Sequence, residues 1–300
     1  MAPQPYILVV EDNEGDARLV QTIFQDVGEQ ATVDVRWVQT VSGALDVLDH
    51  EPGCTAVLLD LGLPDAQGLE GLAEIRAHAV DVPIVVLSGD DSDTRGLEAV
   101  IAGAQDYLVK GSFDAGLLKR ALQYAAHRKR AELALVERAL HDELTGLPKR
   151  SLLLDRLAVA IKRCAREGSV GALLFLDLDQ FKHVNDSLGH AVGDAVLKTM
   201  SQRLTSAVRG CDTVARIGGD EFVVLLMPLA GMQDALSIAE KLLGALAKPM
   251  LANQQQLALS ASIGVARFQD ETESAEQLMA RADLAMYRAK AAGKGRVRAL

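Results

Sequence analysis

The stretch AVLLDLGLPDAQG, residues 56–68, decides the fold of the first part of the chain. It opens with an apolar run of strand length, ends that run on Asp60, and continues into a loop containing Gly and Pro. Similar apolar runs with helical patterns between them surround it, at Tyr6–Val10, Thr32–Trp37, Pro83–Ser88 and Asp106–Lys110. Strands that alternate with helices predict an α/β domain with a doubly wound, five-stranded parallel sheet.

The residues that end these strands carry the chemistry, because ligands bind at the carboxyl ends of the strands in such sheets. These residues are Glu11 with Asp12, then Asp60, Ser88 and Lys110. Three converging carboxylates repel one another unless a divalent cation lies among them, and Mg²⁺ is the natural occupant. A lysine and a hydroxyl beside them suit an acyl phosphate, so the pattern predicts a phosphoryl-accepting carboxylate at Asp60.

The blocks VVEDN, LLDLGLPDAQG, VVLSGDD and DYLVKG, within about residues 5–125, resemble the strand ends of response-regulator receiver domains, which have a flavodoxin-like fold. The resemblance implies that Asp60 is the phosphoacceptor, that Glu11 and Asp12 bind one Mg²⁺, and that Tyr107 is the switch aromatic. It also implies a sensor histidine kinase as the phosphodonor.

A basic connector follows this acidic region. From about Asp114 to Leu140 there is no Pro, and the single Gly falls in the first turn, so the spacing of apolar residues predicts one long helix. The apolar seam is interrupted at His127–Arg130 and does not sustain a coiled coil. Two alternatives stay open: a helix with one face packed on its own domain, or a helix that dimerises.

The second half also alternates strands with helices. Val170–Asp179 predicts a buried strand that ends in acids, and Thr213–Met227 predicts two strands around a tight turn at Gly218-Gly219. Leu257–Val265 alternates as a half-buried strand does, and Ser274–Ala292 has helical spacing. These elements predict a second α/β unit.

Two acidic groups stand out in this half, at Asp177 and at Asp220-Glu221. If their strands are neighbours, the carboxylates meet and need a cation between them. Carboxylates with magnesium, lysines and backbone donors are the parts of a nucleoside triphosphate site, here without a P-loop. The candidate lysines are Lys182, Lys290 and Lys294.

Residues 141–298 resemble the GGDEF family of diguanylate cyclases, with the signature Gly218–Phe222 itself. The flanking matches are DELTGLPKR, FLDLDQFKHVNDSLGHAVGD, SIGVA and RADLAMYRAKAAGKGR. The resemblance implies a palm-type nucleotide-cyclase-like fold and two-metal phosphoryl transfer. It further implies condensation of two GTP to cyclic di-GMP and two pyrophosphates by a homodimer, with two Mg²⁺ per GTP and Mn²⁺ as an alternative.

Residue roles follow from the same resemblance. Asp177 and Asp220 would be side-chain metal ligands, the Leu178 carbonyl would assist, and Glu221 would take the proton of the 3′-hydroxyl. The implied guanine contacts are Asn185 and Asp194, and the implied phosphate contacts are Phe181, Lys182, Lys290 and Lys294.

Arg209 and Asp212 match the RxxD product-inhibition site of this family, which implies cyclic di-GMP as a feedback inhibitor. Two positions depart from the family pattern. Lys149 stands where Asn is usual, with a local effect expected at the entry turn. Lys294 stands where Arg is usual, which keeps the charge but loses bidentate phosphate contact.

Composition bounds these interpretations. Of 300 residues, 49% are hydrophobic and 24% charged, which is the balance of globular domains and excludes disorder. We expect a receiver at 1–125, a helical connector at 126–140 and a cyclase domain at 141–300. Residues 1–125 carry 21 acidic and 7 basic side chains, an imbalance that argues against nucleic acid as a partner.

No apolar run reaches the length of a membrane helix, so no membrane association is expected. The three widely spaced cysteines predict neither disulfides nor a zinc site and fit a reducing cytoplasm. Two rival functions remain: a receptor that binds GTP or cyclic di-GMP without turnover, and a phosphorelay adaptor with an inert second half. No EAL-type stretch is present, so degradation of the dinucleotide is not expected.

Overall fold

Five parallel strands form the first sheet, in the spatial order β2-β1-β3-β4-β5. The computed structural model describes residues 4–26, 34–89, 93–252 and 255–300. This sheet confirms the predicted doubly wound architecture, although Thr32 and Val33 of the predicted second strand lie outside the described residues. The strands are β1 (Tyr6–Val10), β2 (Asp34–Val38), β3 (Cys54–Asp60), β4 (Ile84–Ser88) and β5 (Asp106–Val109).

Helices cover both faces of this sheet, and each face has its own buried apolar cluster. The alternation arises because the strands are almost entirely apolar and therefore need cover on both sides. The helices before the connector are α1 (Glu14–Asp26), α2 (Val41–His50), α3 (Glu70–His78) and α4 (Asp93–Ile101).

The predicted long helix is confirmed as α5, which runs from Ala115 to Leu140. Its first half packs on the first sheet through Leu118, Ala121 and Ala125. The chain divides into two compact units, Met1–Leu135 and Val136–Leu300, so the helix is continuous across the division. Dimerisation through its second half stays a prediction.

The second sheet has the order β12-β11-β6-β8-β7 and is antiparallel except where β11 pairs with β12. The strand predicted over Leu257–Val265 is partly wrong. Residues 258–260 leave the sheet because β10 pairs with β9 in a separate hairpin. The strands are β6 (Val170–Leu178), β7 (Thr213–Gly218), β8 (Glu221–Leu229), β9 (Met250–Ala252), β10 (Gln255–Leu257), β11 (Ala261–Phe268) and β12 (Val297–Ala299).

Two helix layers bury this sheet. One face packs on α6 and α10, and the other packs on α7, α8 and α9. Within the described ranges, no helix is both long enough and apolar enough to cross a membrane. The bounds are α6 (Arg150–Glu167), α7 (Phe181–Leu188), α8 (His190–Ala207), α9 (Met232–Leu246) and α10 (Ala275–Ala291).

Candidate functional site

The first site is a carboxylate cluster at the carboxyl edge of the first sheet. One ligand oxygen from each of Glu11, Asp12 and Asp60 lies within 4.8 Å of the other two. No other set of three or more His, Cys, Asp or Glu residues meets this condition in the part of the chain that the structure describes. The cluster forms because β1 and β3 are adjacent and parallel, so both strands end at the same edge.

Lys110 links this cluster into one ion-pair network. Its Nζ lies 2.6 Å from Glu11 Oε2, 3.0 Å from Asp60 Oδ2 and 3.1 Å from Asp16 Oδ2. Burial would lower the pKa of Lys110, but its hydrogen bonds to Glu11 and Asp60 outweigh burial and raise that pKa well above its usual value. The lysine therefore stays charged. Asp16, which lies in the first turn of α1, is a partner that no sequence motif indicated.

The same surroundings shift the pKa of Glu11. Burial raises the pKa of its carboxyl and repulsion from Asp60 adds to this, while the Lys110 ammonium opposes both. Its Oε1 also accepts a hydrogen bond from the Asn13 amide at 3.1 Å. Such a set of hard oxygen ligands at a strand edge fits Mg²⁺.

Ser88 lies on β4, which is adjacent to β3, and Tyr107 lies on β5, the edge strand beyond β4. Ser88 is buried at the end of β4, and its carbonyl accepts a 2.8 Å hydrogen bond from the Lys110 amide. Tyr107 is half-buried on β5, and its ring packs directly on Gly96 of α4. A Cβ at that glycine would lie 2.2 Å from the ring, so the tyrosine occupies the space that a side chain would need.

The second site lies where β6 and β8 pair. Asp177 stands directly opposite Glu221 in the ladder, and the amide of Leu178 donates to the carbonyl of Asp220 at 3.3 Å. The two strands are thus neighbours, which is the condition under which the sequence predicts that the carboxylates meet. Gly219 has φ of 48°, the left-handed conformation that the tight turn needs and that glycine adopts without strain.

Lys290, which lies on α10, contacts one member of this pair. Its Nζ lies 2.7 Å from Asp177 Oδ2. Burial raises the pKa of Asp177, the hydrogen bond from Lys290 opposes the shift, and repulsion from Asp220 adds to it. A nearby cation would stabilise the ionised form of such a carboxyl, so this set of oxygen ligands also fits a divalent metal.

Glu221 lies among like charges. Burial raises the pKa of its carboxyl, and repulsion from Asp177, Asp283 and Asp220 raises it further. Asp283 is an exposed residue of α10 that the sequence analysis did not assign. Its position seven residues before Lys290, about two helical turns, was the available signal.

The implied guanine contacts lie where α7 meets α8. Asn185 packs its side chain on Gly193, where a Cβ would lie only 1.8 Å from Asn185 Oδ1. Asp194 is the next residue of α8 and is exposed. The structure therefore brings Asn185 and Asp194 to one helix contact, with the glycine making room for the amide.

The implied phosphate contacts lie at two places in the second unit. Phe181 and Lys182 form the first turn of α7, where backbone amides without helical partners point outward, and Phe181 is buried while Lys182 is exposed. Lys294 is exposed on the turn after α10, with φ of 63°.

Asp212 of the RxxD pair is already engaged by the backbone. Its carboxylate accepts hydrogen bonds from the amides of Arg209 at 2.9 Å and Met227 at 3.3 Å. The side chain of Arg209 is exposed. The pair thus lies in a turn that these hydrogen bonds hold, with the arginine exposed to solvent.

One ion pair near the signature was missed by the sequence analysis. Arg216 Nη1 lies 2.9 Å from Asp142 Oδ1, and the guanidinium also donates to the Gly219 carbonyl at 2.7 and 3.0 Å. It therefore ties the loop after α5 to the signature turn. Lys149 precedes α6 and makes no side-chain cap there; its Nζ donates instead to the Arg138 carbonyl.

Comparisons with known proteins match both units. The family profile described as "Diguanylate cyclase, GGDEF domain" matches residues 139–296, and the "Response regulator receiver domain" profile matches residues 7–123. The chain is 43% identical over 196 residues, 65% of its length, to the bifunctional diguanylate cyclase/cyclic di-GMP phosphodiesterase MucR of Pseudomonas aeruginosa. It is 31% identical to the response regulator PleD of Caulobacter vibrioides over 97% of its length.

The chain spans 28% of MucR and 65% of PleD. Among solved structures, it resembles the coiled coil and GGDEF domain of DgcB from Caulobacter crescentus in complex with c-di-GMP. That likeness has a TM-score of 0.55 and 28% identity, and it covers 62% of this chain and 98% of that one.

Proposed function

This chain belongs to the diguanylate cyclase GGDEF family and contains a response regulator receiver domain, and we propose that it is a diguanylate cyclase controlled by phosphorylation of Asp60. The observation that carries the proposal is the pairing of Asp177 with Glu221 beside the signature turn, with Lys290 2.7 Å from Asp177. Carboxylates and a lysine at one strand end are what phosphoryl transfer from a nucleoside triphosphate requires.

The reaction condenses two GTP. The 3′-hydroxyl of each nucleotide attacks the α-phosphorus of the other, two P–O bonds form, and two pyrophosphates leave. Glu221 accepts the proton of the attacking hydroxyl, and its raised pKa makes its carboxylate a stronger base than an ordinary glutamate. Asn185 and Asp194 bind the guanine edge, and Lys290 with Lys294 neutralises phosphate charge.

Mg²⁺, when bound, neutralises the phosphates and polarises the reacting phosphorus. Asp177, Asp220 and the Leu178 carbonyl would hold it in the cyclase site, and Glu11, Asp12 and Asp60 would hold one ion in the receiver site. Mn²⁺ is an alternative for both sites because it prefers the same oxygen ligands.

Each second unit offers one GTP site, whereas the product joins two nucleotides. Catalysis therefore needs two copies of the chain that face each other, which is a symmetric homodimer. The helix α5 is continuous between the receiver and cyclase units, so it is the segment through which control would pass.

Phosphotransfer from a histidine kinase converts Asp60 to an acyl phosphate. Lys110, already 3.0 Å from Asp60 Oδ2, neutralises part of the added charge, and Ser88 donates a hydrogen bond to a phosphoryl oxygen. The change reaches α4 through Tyr107, whose ring packs on that helix. Cyclic di-GMP then limits its own synthesis by binding at Arg209 and Asp212.

The test measures cyclic di-GMP formation from GTP and Mg²⁺ by the full chain, with and without beryllofluoride. Glu221→Gln is expected to lower turnover by about 10²–10⁴-fold, the usual contribution of a positioned base. Beryllofluoride is expected to change turnover of the parent chain but not of Asp60→Asn. The matched controls are Glu240→Gln, at an exposed position of α9, and Asp81→Asn, in an exposed turn. Both should behave as the parent.

Two outcomes would contradict the proposal. A chain that binds GTP or cyclic di-GMP but forms no product under any condition is a receptor. A chain that forms product at a rate indifferent to beryllofluoride is a cyclase without receiver control.

A further inference from the structure

Asp179 is a buried carboxylate for which the proposed chemistry has no use. It directly follows β6, two residues after Asp177, and is 6% exposed. Its Oδ2 accepts hydrogen bonds from Ser260 Oγ at 2.6 Å and from the Gly295 amide at 3.0 Å, and its Oδ1 accepts one from Ser262 Oγ at 2.9 Å. Three donors from two distant segments thus converge on one side chain.

The Gly295 amide belongs to an unusual turn. Gly293, Lys294 and Gly295 have φ of 115°, 63° and 56°, so three successive residues adopt left-handed backbone. Glycine accepts this conformation without strain, but a lysine does not. Such a turn persists only where its surroundings hold it, and here the hydrogen bond to Asp179 closes it on one side. On the other side the Lys294 amide donates to the Ala289 carbonyl at 3.2 Å.

The same residue also fixes the start of β11, through its backbone as well as its carboxylate. The Asp179 amide donates to the Ser260 carbonyl at 2.9 Å, and Ser262 stands opposite Asp177 in the ladder between β11 and β6. Asp179 therefore joins the strand end that carries Asp177 to the turn that carries Lys294.

We propose that Asp179 is a positioning residue that holds Lys294 at the place from which it binds the phosphates of GTP. The inference rests on the proposed function for the identity of the nucleotide. An ionised carboxylate is required because it offers only acceptors to the three donors. The amide of an asparagine would direct its own N–H groups at some of them.

The experiment is a double-mutant cycle on the full chain between Asp179→Asn and Lys294→Ala, read as the Kd and KM for GTP with Mg²⁺. Asp179→Asn alone should raise both constants about tenfold, which is the loss of one charge-assisted contact, while kcat changes less. In the Lys294→Ala background the same substitution should add less than about twofold, because its effect acts through the lysine. Ser260→Ala, which removes one donor only, should give a smaller loss of the same kind.

A second readout needs no nucleotide. Hydrogen exchange of the amides in 293–296 should accelerate in Asp179→Asn, whereas it should stay as in the parent for the exposed control Asp270→Asn. Additive effects in the cycle, or unchanged exchange in this turn, would overturn the inference. If the parent binds GTP but forms no product, the proposed function fails, while the Kd cycle and the exchange data still decide the role of Asp179.

Discussion

The two carboxylate sites of this chain use lysine in different ways. In the receiver site, Lys110 lies within 3.1 Å of three carboxylates and is 19% exposed, so one of the chain's own cations offsets part of the charge of the cluster. In the cyclase site, Lys290 contacts one carboxylate and is 32% exposed. The first arrangement is one network of fixed charges, whereas the second leaves Glu221 and Asp220 beside like charges.

Under the proposed function, this difference is one between a switch and a catalytic centre. A receiver site must hold together in both states and accept one phosphoryl group, so a permanent ion pair at its centre costs no activity. A catalytic site gains when charge is balanced only as the transition state forms, because interactions already satisfied in the ground state do not accelerate the reaction. The same substitution at the two lysines should therefore affect different quantities.

Among the substitutions that test this contrast, Lys290→Met should have the largest effect, on turnover. We expect kcat/KM for GTP to fall about 10²–10³-fold, as for loss of a preorganised charge at a reacting phosphate. The unfolding midpoint should fall less than in Lys110→Met, because Lys290 contacts one carboxylate whereas Lys110 contacts three. Initial rates and thermal melts of the full chain check this, with Lys198→Met on the exposed side of α8 as the control. A fully active variant would remove the contrast between the two sites.

Lys110→Met should instead destabilise the receiver unit, by about 2–4 kcal/mol, because it leaves buried carboxylates without their cation. Mg²⁺ should restore more stability to this variant than to the parent, since the ion replaces the ammonium charge. Urea unfolding is followed by fluorescence of Trp37, the one tryptophan, whose indole donates to the Glu11 carbonyl at 2.7 Å. Lys119→Met on exposed α5 is the control, and an equal Mg²⁺ response in parent and variant would refute the prediction.

Gly193→Ala should weaken guanine binding without unfolding the cyclase unit. Its Cβ would displace the amide of Asn185, so KM for GTP should rise about tenfold, the scale of one lost hydrogen bond to a polar partner. Stability should stay within about 1 kcal/mol, because alanine is favoured over glycine in a helix. The matched control is Gly244→Ala in α9, where an added Cβ has open space. An unchanged KM would show that Asn185 does not bind substrate from its present position.

Asp142→Asn should have the smallest effect, a loss of about 1 kcal/mol at neutral pH. Burial raises the pKa of Asp142, but hydrogen bonds from Thr145 and Arg216 outweigh burial and lower it below its usual value. A lowered folded pKa gives stability that is present above the unfolded pKa, near 4, and is lost as pH falls through the folded pKa.

The difference in stability between Asp142→Asn and the parent should therefore shrink below about pH 4. Circular-dichroism melts at several pH values measure it, with Asp155→Asn on exposed α6 as the control. A difference that stays constant down to low pH would mean that the ionised carboxylate contributes nothing.

Sequence patterns predicted the secondary structure of the first unit and the convergence of its acidic residues. The five strands of the first sheet and the helix Ala115–Leu140 follow the predicted pattern, and the acids at residues 11, 12 and 60 converge as expected. The prediction of one strand over Leu257–Val265 was wrong at residues 258–260, because alternation does not reveal which partner a strand pairs with, and β10 pairs with β9 away from the main sheet. The roles of Asp60, Glu221 and the nucleotide contacts remain proposals.

The sequence by itself determined the two α/β units, their family and the acids at the strand ends, because these depend on local periodicity and on motifs that are contiguous along the chain. Only the tertiary structure decided which distant groups meet: Asp16 with Lys110, Asp142 with Arg216, and Asp179 with Gly295. These partners are 94, 74 and 116 residues apart, and no local pattern specifies contacts at such separations. One member of each pair is mostly removed from water, with Lys110 19%, Arg216 11% and Asp179 6% exposed, and such a polar group must find a partner wherever the fold supplies one.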